Sequence, residues 1–225
     1  MKHNAYNGQF LSMNLVTGDL NNVPLTVALV PSETKENYLW VFNKIKSIDE
    51  FVKEKLDNKR SGIYSDMDKG LLPAIATAFP MSRSMNCFKH IVANISASKS
   101  LTSVGSDVGM LWKLQGAISE HEYNTSLAEL KLKYDKVGEY LENISGGRAA
   151  WALYPSIVEN VPLFGHRTSN TIESENSRWL DVRHLNPLEF ADTAVRKLVE
   201  INNANQQRCV KLERKNCYSR KVFIM

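Results

Sequence analysis

The sequence predicts an α/β fold in its first part that gives way to helices toward its C-terminus. Three observations predict it. Two short apolar runs flank a cluster of turn formers, a brief apolar run ends in Asp66, and beyond it apolar residues recur every three or four positions. The first pattern reads as a hairpin, the second as a strand and the third as amphipathic helices.

The hairpin is expected over residues 9–17 and 24–30, with Gly18, Asp19, Asn21 and Asn22 supplying the turn. Ser32 is placed to cap the next helix, and Glu33 and Glu36 suit its positive end. Tyr38, Val41, Phe42 and Ile45 give that helix one apolar face; after a break near Ser47 it continues through Phe51, Val52 and Leu56. A very short strand is expected at residues 62–65. A helix bearing Leu71, Leu72, Ile75 and Ala78 follows it and is closed by Pro80. Residues 86–98 read as helix, 99–108 as loop, and 110–144 as two or three helices. Gly146 and Gly147 interrupt the pattern, 155–170 is rich in turn formers, and a last helix spans about 187–203.

Composition bounds the function. The chain has 225 residues, 43% hydrophobic and 23% charged, in the range of globular proteins rather than disordered ones. No apolar run approaches the roughly 20 residues of a membrane span, and the first ten residues lack the apolar stretch of a signal peptide. An intracellular protein is expected. Cys87, Cys209 and Cys217 are odd in number and far apart, which argues against a disulfide framework. The net charge of +4 is uneven: residues 208–225 hold Arg208, Lys211, Arg214, Lys215, Arg220 and Lys221 against Glu213 alone. Such a tail attracts nucleic acid through its phosphates, or is simply a solvated end.

Four constellations could carry chemistry. Asp66, in Ser65-Asp66-Met67-Asp68-Lys69-Gly70, ends a strand just before a helix, where open α/β sheets place ligands. A carboxylate there can bind Mg²⁺, and the same residues also make ordinary turn and cap chemistry. Cys87 and His90 have the spacing of two zinc ligands, but no second pair accompanies them; a buried Cys beside an amphipathic His is the plainer alternative. Glu120 and Glu122 stand where acids complement a helix start. The run His166, Arg167, Thr168, Ser169, Asn170, followed by Glu173 and Asn176, suits hydrogen bonding to a phosphate or to its own backbone.

The order of these pieces resembles a known family. Gly18 to Glu33 and then Tyr38-Leu39-Trp40-Val41-Phe42 are similar to the opening of a Mutator-like (MULE) transposase domain. Residues 63–71 resemble its "sDrdkGl" motif, Phe79-Pro80 and Cys87-Phe88-Lys89-His90 its "fP…CxxH", and 154–176 its "Y…TSNxxEsxN" segment. The similarity runs over roughly residues 10–185. It implies an RNase H-like transposase core over 1–145 with a helical insertion, a helical extension over 146–207 and a basic tail over 208–225.

The chemistry implied by the resemblance is DNA cleavage and strand transfer at transposon ends, with two Asp and one Glu holding a pair of Mg²⁺ (or Mn²⁺) ions. Asp66 would be the second Asp. Glu122 would be the third acid, with Glu120 as its alternative, and Cys87 and His90 would give structural support. The first Asp of the family lies on a strand just before the segment that matches Lys2-His3-Asn4, so a core lacking its first strand is expected. The expected function is that of a truncated or decayed transposase unable to cut DNA alone; the alternative is a domesticated DNA-binding or regulatory protein without catalysis. No zinc is expected, since no His follows Cys209 and Cys217. A nuclear location and self-association complete the expectations.

Overall fold

The computed structural model describes residues 2–3, 7–17, 22–98, 100–101, 104–161, 163, 177–214 and 222–224. They form a mixed α/β structure, mostly helical, in two compact units. The first unit comprises residues 1–56, 69–80 and 170–225; the second comprises 57–68 and 81–169. Among the described residues no helix is long and apolar enough to cross a membrane.

In the first unit the expected hairpin is present, as β2 (Gly8–Thr17) and β3 (Asn22–Val30). They pair antiparallel from Gln9↔Val30 to Val16↔Asn22, with a bulge between Met13 and Asn14. The expected turn residues Gly18, Asp19 and Asn21 lie outside the described residues. Asn14 is fully buried and sits opposite Pro24. Among the described residues neither of its side-chain polar atoms has a hydrogen-bond partner. The other edge of β2 carries two short antiparallel strands: β1 (Lys2–His3) against Gly8 and Gln9, and β6 (Val222–Ile224) against Leu15, Val16 and Thr17.

Helices α1 (Lys35–Ile48) and α2 (Glu50–Leu56) follow, separated at Asp49, whose backbone is extended. The cap of α1 is Thr34, whose hydroxyl accepts from the Asn37 amide at 3.4 Å, and not Ser32. Ser32 instead receives the Asn37 side-chain amide on its carbonyl at 2.8 Å, because it lies one residue too far from the first turn. The apolar face of α1 is the expected one, Tyr38, Val41, Phe42 and Ile45, and it packs on α3 (Leu71–Ala78) through Phe42 and Phe79, ring centres 5.2 Å apart. Lys46 donates to the Ala78 carbonyl at 2.6 Å and so closes the C-terminus of α3.

The remaining helix of this unit, α9 (Pro187–Arg214), is longer than the expected 187–203 and carries Arg208 and Lys211 of the basic segment. Its Phe190 and Ala194 pack with Phe10 and Trp179 in a buried cluster, Phe10 lying 5.7 Å from Trp179 and 5.8 Å from Phe190 between ring centres.

The second unit is built around a strand that was expected and one that was not. Strand β4 (Gly62–Ser65) pairs in parallel with β5 (Arg83–Asn86), from Gly62↔Arg83 to Ser65↔Asn86. Residues 83–85 had no element assigned and Asn86 was read as the start of a helix. The sequence Arg-Ser-Met-Asn lacks the alternation that marks a strand, and it is the pairing with β4 that makes it one. Asp66's strand therefore does not close against the hairpin, as the sequence suggested it could: β4 has its own partner in a separate two-stranded sheet.

Helix α4 (Phe88–Ala97), capped by Cys87, leads away from β5. Then come α5 (Val108–Gln115), α6 (Glu120–Lys133) and α7 (Asp135–Glu142), three helices where two or three were expected, and α8 (Tyr154–Val158), a short helix in the stretch read as turns. Their core is aromatic. Phe88 lies between Trp112 and Trp151, ring centres 5.0 and 5.7 Å away, with Tyr123 and Tyr154 beyond Trp151.

Gly70 marks a tight approach in the first unit. A Cβ there would stand 3.0 Å from the Lys35 nitrogen and 3.1 Å from the Glu33 carbonyl oxygen, both backbone atoms that yield little. Gly70→Ala is expected to lower stability by about 1–3 kcal/mol, the usual effect of overpacking; a urea melt with unchanged midpoint would refute this close approach.

Candidate functional site

Because β4 and β5 run parallel, their C-terminal ends lie at one edge of the sheet, and the residues that follow them, Asp66 and Cys87, leave that edge side by side. The ladder extends one step further, with the Cys87 amide donating to the Ser65 carbonyl at 2.7 Å. Asp66 is exposed, and its Oδ1 accepts from the Asp68 amide at 3.3 Å, the turn chemistry the sequence allowed. Ser65 beneath it is buried, with a hydroxyl that has no partner among the described residues.

Cys87 is fully buried and free. Its carbonyl accepts from the amides of His90 and Ile91 at 3.1 and 3.2 Å, which starts α4. His90 stands one turn into that helix and is half-buried; its Nδ1 has no partner among the described residues. The CxxH spacing thus falls on a strand-to-helix junction, where the Cys is packed inside and the His lies on the first turn.

The two glutamates are held by local structure. Ser119 caps α6, its hydroxyl accepting from the Glu122 amide at 3.2 Å. Glu122 reaches back and accepts from the Ile118 amide at 2.8 Å. This reciprocal arrangement satisfies amides that the helix itself cannot. Glu120 pairs with Arg148 at 2.9 Å. The Arg148 guanidinium also faces the rings of Tyr123 and Tyr154, 5.9 and 5.5 Å from their centres. The structure therefore brings together Asp66 and Cys87 by topology, and Glu120 with Arg148. Among the described residues it gathers no group of three or more His, Cys, Asp or Glu side chains able to hold a metal ion. A two-metal centre needs several carboxylates, so the described residues alone do not fit one.

His166, Thr168, Ser169, Asn170, Glu173 and Asn176 lie outside the described residues.

Some groups that shape this unit left no trace in the sequence pattern. Arg83 on β5 donates to the Ala149 carbonyl at 3.2 Å and pairs with both carboxylate oxygens of Glu159 at 3.0 and 2.9 Å. Asp107 accepts from Tyr134 at 2.6 Å and also pairs with Lys133, which together hold its carboxyl below the usual range. These partners are 26 to 76 residues apart, beyond any local spacing rule.

Residues 1–94 match the family model of the MULE transposase domain. The resemblance read from the sequence holds over that stretch. It takes in β1 through most of α4, and so includes Asp66, Gly70, Cys87 and His90. The MULE match ends before Glu120, Glu122 and the 166–176 segment, so it is shorter than the 10–185 over which similarity was expected. No curated protein matches the chain.

Tyr123 gives this unit a measurable pH response. Burial pushes its phenol up to about 12, with Tyr154 adding to the shift and Arg148 opposing it. The unfolded chain loses this proton near the ordinary value of about 10, so the folded state holds it more tightly. Its contribution to stability is complete below pH about 10 and is lost as pH rises through about 12. Tyr123→Phe is expected to flatten the decline of stability between these values; an unchanged alkaline unfolding curve would contradict it. Ser119→Ala should cost about 1 kcal/mol through loss of the α6 cap, read as a lower urea midpoint.

Proposed function

We propose that this chain is a transposase-like DNA-binding protein that does not cut DNA on its own. The match of residues 1–94 to the MULE transposase domain carries the proposal, since a domain of that kind handles DNA. In this reading the front of the chain belongs to an RNase H-like architecture, and Asp66 at the end of β4 is its metal-facing carboxylate for Mg²⁺ or Mn²⁺. Catalysis by this chain alone is not supported, because Glu122 caps α6 and Glu120 is paired with Arg148. Cys87 and His90 then shape the strand-to-helix junction beside Asp66 and take no part in the chemistry. The partner is DNA, contacted through phosphates by the basic C-terminal segment, and the place of action is the nucleus.

A second reading, a transposase-derived regulatory protein, shares the DNA partner and differs only in what binding achieves. The basic segment favours it as well, because phosphate contacts alone give binding without cleavage.

Purified protein is expected to shift duplex DNA in a gel. With two to four phosphate contacts, affinity should fall about ten- to a hundred-fold between 50 and 200 mM salt. Lys215→Ala, Arg220→Ala and Lys221→Ala together should weaken the shift. Supercoiled plasmid with Mg²⁺ or Mn²⁺ should remain intact; nicking that disappears in Asp66→Ala would overturn the claim of inactivity.

A further inference from the structure

We propose that the protein pairs with a second copy of itself through α9, the two helices lying antiparallel. Helix α9 has 28 residues and so spans about 42 Å at 1.5 Å per residue. One stripe of it, Phe190 and Ala194 with the partly buried Leu198, packs into the first unit's core. A second stripe is left uncovered: Leu188 is 81% exposed, Val195 60%, Val199 52% and Val210 45%. Together with the exposed Asn202 and Gln206, these residues are spaced seven, four, three, four and four apart, which keeps them on one face of a helix. From Gln206 to Lys211 every side chain is exposed, so the last turns have no core of their own.

The stripe matches itself best in reverse. With two copies antiparallel about Val199, Val199 meets its own counterpart and Leu188 of one copy lies opposite Val210 of the other. The charges agree with this direction. Glu189 and Asp192 stand in the first turns and Arg208 and Lys211 in the last, so an antiparallel copy sets acid beside base at both ends. A parallel copy would set like beside like, and it would align the two helix dipoles unfavourably. Asn202 and Gln206 lie in the stripe between the apolar ends, where polar groups restrict the register a helix pair adopts.

The orientation is testable with the native Cys209, which is free and exposed. In the antiparallel pair, position 191 of one helix and Cys209 of the other fall at the same level and on the same flank. In the parallel pair, Cys209 meets Cys209. The full chain carrying Cys217→Ser is expected to run as a dimer in light scattering. Val195→Glu with Val199→Glu should make it monomeric while circular dichroism stays unchanged, since both side chains are exposed. Adding Ala191→Cys should give an oxidised dimer that Cys209 alone does not. A monomer at all concentrations, a dimer indifferent to the glutamates, or a Cys209–Cys209 crosslink without Ala191→Cys would each overturn the proposal.

Discussion

The parallel pairing of β4 with β5 is the constraint on which the second unit depends. It is only four residues long on each side, yet it fixes where Asp66 emerges, and through the Cys87-to-Ser65 hydrogen bond it fixes where α4 begins. The helix start in turn seats Phe88 between Trp112 and Trp151. A parallel pair this short has little strength of its own, because isolated two-stranded sheets are marginal in water. It persists because Ile63, Tyr64, Met85 and Asn86 are buried and because Arg83 ties β5 to Ala149 and Glu159.

That geometry separates two kinds of acidic residue. Asp66 is exposed at a sheet edge, and a side-chain oxygen of it takes part only in a long turn hydrogen bond. Glu120 and Glu122, by contrast, each make a short contact that stabilises helix and core locally. A carboxylate that accepts from a backbone amide or faces a guanidinium has lone pairs already engaged, and a metal would have to displace those partners. The family match agrees with the division, since it reaches Asp66 and stops short of both glutamates.

In the first unit the organising element is the hairpin. Its β2 strand accepts β3 along one edge and two short strands, β1 and β6, at the two ends of the other. Sheet edges left open invite pairing with foreign chains, and short strands or bulges are common ways of blunting them. The bulge at Met13 and Asn14 lies along β2 between the two short strands. Phe10, on the same strand, anchors Trp179 and α9.

By itself the sequence determined the hairpin, the α1–α2 break, the strand ending at Asp66, the three helices from residue 108 to 142 and the family of residues 1–94. All of these depend on short-range periodicity, turn chemistry or the linear order of motifs, which a chain carries whatever its fold. The glutamate ambiguity was also legible, because Ser119-x-x-Glu122 is a capping pattern in one dimension. Only the tertiary structure decided that Arg83-Ser-Met-Asn86 is a strand, that β4 pairs with it and not with the hairpin, and that Arg148 faces Glu120, Tyr123 and Tyr154. Those outcomes rest on partners distant in sequence, and a polar tetrapeptide becomes a strand only when a neighbour supplies its hydrogen bonds.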